Sequence, residues 1–162
     1  MDGMYHRPLL PHGLRPPETW GGPGWLARPL RLTDAEADFE AVVASADRLR
    51  GMMDPDNPWP EGLSLHENRV DLGWHEREFT QGHSYAWTVV QGARVVGCCD
   101  LYPADRAGFD AVGFWWVRTG HEALDAPVGA AFRAVIDALA VSCAFPGRDI
   151  AWADWRARPA RG

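Results

Sequence analysis

Residues 85–118 read YAWTVVQGARVVGCCDLYPADRAGFDAVGFWWVR, and the fold turns on this stretch. It holds three runs rich in Val, Trp, Phe and Tyr: Tyr85 to Val90, Arg94 to Tyr102 and Phe109 to Arg118. Gln91-Gly92 separates the first two, and a loop around Pro103 to Gly108 separates the last two. β-Branched and aromatic runs bounded by turn residues are what buried strands require, so the stretch reads as a strand meander. Successive side chains on a strand point to opposite faces. Asp100 and Tyr102 therefore share a face, whereas Trp115 and Trp116 must divide between the two.

Before the meander lie two helices. Ser64 and Glu67 form a capping box that opens a half-buried helix to about Phe79, with Leu65, Val70, Leu72, Trp74 and Phe79 as its apolar positions. The loop 54–60 precedes it. Thr33 with Glu36 predicts a second capping box, followed by Phe39, Val42, Val43, Ala46 and Leu49 at helical spacing and a stop at Gly51. A short extended run, Arg28 to Leu32, leads into that helix. Residues 1–27 carry too many Pro and Gly breakers for any period to survive, so they are expected to drape over the surface as an arm, with Trp20 and Trp25 pinned against the domain.

After the meander, Thr119 to Asp125 reads as a loop, followed by a helix with Pro127 in its first turn. Val128, Phe132, Val135, Ile136 and Leu139 mark its core face, and Pro146-Gly147 ends it. Asp149 to Trp155 is expected to be a last strand, and 156–162 an Arg/Pro tail. The order is β-α-α-β-β-β-α-β: an α/β (α+β) domain over 28–155, with a central mixed sheet flanked by helices. Right-handed crossover makes the last two strands parallel neighbours. The apolar edge of the 149–155 strand is expected to be paired across a homodimer or covered by the arm, with Trp152 or Trp155 buried there.

Composition narrows the function. The 162 residues are 46% hydrophobic and 23% charged, as in an ordinary globular domain. The sixteen basic residues are all Arg, and the net charge is −6. That balance argues against nucleic acid and anionic membranes as partners and suits a cationic small molecule. No run reaches the length of a membrane span and the Pro-punctuated start lacks a leader's apolar stretch, so a cytoplasmic location is expected. Cys98, Cys99 and Cys143 have no metal-ligand spacing and read as reduced thiols, with no metal expected.

The stretch RPLRLTDAEADFEAV (28–42), then Trp59-Pro60, Asn68, Asp71-Leu72 and His75-Glu76-Arg77-Glu78, resembles bacterial proteins of the GNAT superfamily of acyl-CoA-dependent N-acyltransferases. Tyr85 to Val90, Val96-Gly97-Cys98 and Phe114 to Arg118 continue the resemblance over roughly 28–155. It implies that acetyl-CoA or another acyl-CoA lies between the last two splayed strands, with Trp116, Val117, Arg118, Thr119, Gly120 and His121 at the strand end and pyrophosphate turn. In place of the family's R/Q-x-x-G-x-G/A run, however, this chain puts His121 at the first glycine. A start at the helix instead gives Asp125-Ala126-Pro127, a carboxylate and a missing amide donor.

The resemblance implies transfer to an amine acceptor; Asp100 and Tyr102, facing the same side at the end of their strand, are the candidates to border that pocket as base and acid. A strand-end hydrogen-bonding role for Asp100 and a packing role for Tyr102 stand beside this, and Asp110 is weighed in the same way. His75 to Glu78 reads as a solvated helix face with an Asp71–His75 contact. His121 is either a phosphate contact or an exposed loop histidine, and Arg118 pairs either with a phosphate or with Asp125. Two function classes remain open: an N-acetyltransferase, and a catalytically silent GNAT-like module that binds a small molecule or a partner protein.

Overall fold

The computed structural model describes residues 7–162. The meander forms as β3 (Tyr85–Gln91), β4 (Arg94–Pro103) and β5 (Ala111–Val117), paired antiparallel with Trp87 opposite Cys99 and Cys99 opposite Trp115. Every residue of β5 is buried. Both faces of the sheet are covered, so the strand reads as a continuous apolar run instead of alternating.

On one face lie α1 (Ala35–Ala44), α2 (Ala46–Leu49) and α3 (Leu65–Gln81). Leu30, Val42, Leu49, Leu72, Cys98 and Trp116 pack there. On the other lies α4 (Asp125–Asp137), where Phe132 meets Trp20, Trp87 and Trp115. The two adjacent tryptophans of β5 thus divide between two cores, as strand alternation demands. Gly129 of α4 is needed because a Cβ at that position would run into the Trp115 ring.

The α3 capping box forms as expected. Ser64 Oγ accepts from the Glu67 amide at 3.1 Å, and the Glu67 carboxylate accepts from the Ser64 amide at 2.8 Å. The Thr33–Glu36 box does not form. Asp34 takes over, accepting from the Arg31 amide at 2.9 Å while Arg28 grips both of its oxygens. A single 3-10 turn, Leu32–Asp34, then leads into α1, and Glu36 is drawn away to Arg69. The expected helix through Leu49 also breaks at Ser45, between α1 and α2.

Two other expectations are corrected. The arm is not draped: Trp20–Gly22 (β1) and Trp25–Pro29 (β2) form a hairpin that adds to the sheet through β2 and β3, and Leu10, Trp25 and Ala27 sit in the core. Residues 1–6 of that arm lie outside the described residues. The Pro and Gly breakers hid a hairpin because its strands are short and its turn is itself Pro23-Gly24.

At the other end, α4 stops at Asp137, not at Pro146, and the chain reverses through Ala140 at φ 53°. Cys143–Ala144 (β6) then pairs parallel to β5, as the crossover rule requires, but earlier than expected. Residues 149–155 are not a strand. Trp152–Ala157 is helix α5, which turns Trp155 onto Phe109 and Trp152 onto Phe114. Their spacing of three suits a helix and not an alternating strand. The tail is tied back by the Ala107 amide to Pro159 and the Arg161 amide to Asp105. The open strand edge on which the homodimer expectation rested does not exist. No described helix is long and apolar enough to cross a membrane.

Candidate functional site

The face of the sheet under α1 and α3 holds a cavity of about 450 Å³. β4 contributes Cys98, Asp100 and Tyr102, all on one face as alternation predicts, and β5 contributes Trp116. Asp38 comes from α1, and Asn68, Asp71, Trp74 and His75 come from α3. The loop before α3 closes the wall with Met53, Asn57 and Trp59. Asn68, Leu72, His75 and Phe79 recur at helical spacing, so the face of α3 that packs against the sheet also carries His75 inward.

The polar groups in this cavity are buried and electrostatically tied. Asp38 and Asp100 are 4% and 5% exposed. Asp38 accepts from Asn68 Nδ2 at 2.9 Å. The Cys98 thiol lies 3.8 Å from both oxygens of Asp100, and no nitrogen donor among the described residues reaches that carboxylate. Burial pushes each carboxyl up to about 6. His75 pairs with Asp71 at 3.6 Å. Burial opposes its protonation, but Asp71, Asp100 and Asp38 outweigh burial and hold it above its ordinary value. Burial and the neighbouring Asp100 push the Tyr102 hydroxyl well above its usual range, which keeps it a neutral donor. His75 and Glu78, expected on a solvated face, are both buried; Glu78 is held by Arg77 and His83.

The second region is the edge of β5 beyond the short β6. With β6 ending at Ala144, the upper part of β5 has no strand on that side and pairs only with β4. A cleft of about 360 Å³ opens there, lined by Arg48, Arg50 and Arg148 with Gly113, Phe114, Trp115 and Trp152. Arg48 donates to the Val117 carbonyl at 2.9 Å, and Arg148 to the Trp115 carbonyl at 2.9 Å. Arg148 also lies 3.5 Å from the centre of the Trp115 ring and grips both oxygens of Asp125.

The expected pyrophosphate turn adjoins this cleft, and its amides are already engaged. The Thr119 amide donates to Ser45 Oγ at 3.0 Å. The Gly120 amide donates to the Glu122 carboxylate at 2.9 Å, and the His121 amide to the Arg118 carbonyl at 2.9 Å. The break between α1 and α2 is what brings Ser45 into reach. Arg118 pairs with neither of the partners weighed for it. It is buried and forks onto Glu40 of α1, while Asp125 goes to Arg148. Of the residues expected at the cofactor, Trp116 faces the acidic cavity instead. The Val117 carbonyl accepts from Arg48 of the cleft, and among the described residues His121 Nδ1 is buried without a hydrogen-bond partner. Asp110 is far from both sites in role: it binds Ser142 through its carboxylate and backbone, and pairs with Arg161.

No family model matches the sequence, and no curated protein matches it. Solved structures do. The ribosomal-protein-S5-alanine acetyltransferase from Vibrio fischeri aligns with a TM-score of 0.60 at 11% identity, over 74% of this chain and 65% of that one. RimL, a ribosomal L7/L12 alpha-N-protein acetyltransferase, gives 0.60 at 14% identity over 80% and 68%. RimJ from Mycobacterium smegmatis, in complex with CoA-disulfide, gives 0.51 at 17% over 69% and 58%. The match thus spans under two thirds of the Vibrio fischeri chain's length. The chain has the GNAT fold, the architecture of these acetyltransferases, as the resemblance in its sequence implies.

Proposed function

We propose that the protein is an acyl-CoA-dependent N-acyltransferase that transfers an acetyl group to a small primary amine by direct attack. One observation carries this reading: two cavities of opposite charge meet neighbouring residues of β5, the acidic one lined by Met53 and Trp116 and the basic one by Met52, Phe114 and Trp115. Acyl transfer from a thioester of a polyanion to an ammonium-bearing acceptor asks for that division. Arg48, Arg50 and Arg148 fit the anionic donor, and Asp38, Asp71 and Asp100 fit the cationic acceptor.

Acetyl-CoA would supply an activated carbonyl at the β5 edge. Asp100, with its carboxyl near 6 and its oxygens met by the Tyr102 hydroxyl and the Cys98 thiol instead of a cation, takes the proton that the ammonium must lose before its nitrogen can attack. The nitrogen–carbonyl bond forms as the carbon–sulfur bond breaks; Tyr102 supplies a proton to the departing thiolate and is reprotonated by the second proton that the new amide nitrogen gives up. Backbone at Val117 faces the cleft, where an amide can polarise the carbonyl.

The engaged amides of Thr119, Gly120 and His121 favour a second reading, a silent module that binds an amine but no acyl donor. A thermal-shift titration separates the two. Acetyl-CoA at a hundred times its Kd should stabilise the fold by about 2.7 kcal/mol, and thiol release should then appear with a suitable amine. A folded protein with no shift at millimolar acetyl-CoA would leave only the silent module.

A further inference from the structure

We propose that the acidic cavity selects a linear dication, an alkane diammonium or its close analogue, and that Asp71 is the residue that reads the second charge. This rests on the assignment of that cavity as the acceptor side.

The argument is one of charge and shape. Three carboxylates line the cavity: Asp38 from α1, Asp71 from α3 and Asp100 from β4. The cavity's cationic group is His75; Asn57, Asn68, Cys98 and Tyr102 bring none. With His75 protonated, the lining carries two net negative charges near neutral pH. A monoamine leaves one of them uncompensated in a setting where Asp38 and Asp100 are already out of water. A dication neutralises both. The three carboxylates come from three different elements, α1, α3 and β4, so the negative charge is distributed around the cavity wall, where an extended dication can meet more than one of them.

Burial orders the two charges. Asp38 and Asp100 lie at the floor, and Asp100 has no nitrogen donor of its own. Asp71 is half exposed, at the mouth, beside His75. Between floor and mouth the wall is Trp59, Trp74, Tyr102 and Trp116, with Leu72 and Val42. Aromatic faces accept both methylenes and ammonium groups. The reacting ammonium belongs at the floor, next to Asp100 and β5, and the second ammonium at the mouth. A volume of about 450 Å³ lies within the range of small-molecule sites.

Calorimetric titration of the full chain tests this with α,ω-diaminoalkanes of four to eight carbons, n-alkylamines of equal length and the matching diols. At least one diamine should bind tenfold or more tightly than its monoamine, and the diols should not bind. Asp71→Asn should reduce the diamine preference to within about twofold, weakening diamine binding several-fold more than monoamine binding. Because Asp71 is half exposed, this variant should keep the wild-type melting temperature. Equal affinities for diamine and monoamine, a preference that survives Asp71→Asn, or no amine binding at all would overturn the proposal. Acetyl-CoA is titrated into the same preparation. Diamine binding without an acetyl-CoA shift removes the acyltransferase reading and keeps this one. An acetyl-CoA shift without diamine selectivity does the reverse.

Discussion

The two sides of β5 handle charge in opposite ways. Under α1 and α3, Asp38 and Asp100 are buried with few donors, and their pKa values rise to about 6 in consequence. At the β5 edge every prominent charge already has a partner within the chain: Arg148 has Asp125, Glu122 has the Gly120 amide, and Arg118 has Glu40. A buried group left short of partners costs stability and is kept where a ligand can complete it. A self-satisfied edge stabilises the fold, and a ligand must displace something to bind there. The acidic side is therefore poised for binding, and the basic side holds internal stand-ins for an anion.

The most severe test of that contrast is Asp100→Asn. The change keeps the shape and removes the proton acceptor. If Asp100 is the base, kcat/KM for amine acetylation should fall by roughly 10²- to 10⁴-fold, mostly in kcat. The melting temperature at pH 7.5 should hold or rise, since a buried charge has been removed. A variant that transfers acetyl groups at the wild-type rate would reduce Asp100 to the strand-end role weighed from the sequence.

Next in size is the dependence of stability on pH. Asp38 from α1, Asp100 from β4 and His75 from α3 all have folded pKa values above their ordinary ones. Each holds its proton more tightly when folded than when unfolded. Their contribution is thus fully present below about pH 4 and is lost as pH rises through about 6 for the carboxyls, and higher for His75. Folding stability should fall between pH 5 and 7.5 by an amount on the order of 2–3 kcal/mol for the coupled cluster, read as a falling melting temperature. Asp110 and Asp149 are shifted downward, so they work in the opposite sense, but below about pH 4. Asp38→Asn or Asp100→Asn should flatten the slope. A melting temperature that rises across this window would mean the cluster is hydrated and not buried.

How much of this was legible in the sequence differs between the two sides. The meander, the α3 capping box and the parallel β5–β6 pair follow from local rules, because turn residues and caps act over a few positions. Asp100 and Tyr102 could be placed on one face from β4 alone. The inward position of His75 is legible too, although its stretch reads as a solvated helix face: Asn68, Leu72, His75 and Phe79 share one helical face. Asp38 could not be found, since it becomes a pocket residue only when α1 packs across β4. The partners of Arg118 and Arg148 lie 78 and 23 positions away in sequence, and only the tertiary fold chooses among the carboxylates available. The Asp149–Trp155 segment failed for a different reason. Its tryptophans suit a buried strand by composition, but Trp152 and Trp155 fall on one face only in a helix.

The smallest expected effect comes from the basic side, with Glu122→Gln. Both carboxylate oxygens of Glu122 lie within 3.1 Å of the Gly120 amide, which sits at φ 91° in the turn. The carboxylate is in the position an anionic ligand would take, and Arg48 lies 3.7 Å from it. Because Glu122 is half exposed, water screens this internal contact, and losing it should leave the melting temperature nearly unchanged. The effect should appear in binding. An acetyl-CoA phosphate would no longer have to expel a like charge, so affinity should rise by roughly three- to tenfold. Diamine binding across β5 should stay as it was. Should affinity fall instead, Glu122 would be organising the turn for the donor, and the contrast between a poised acidic side and a self-satisfied basic side would no longer hold.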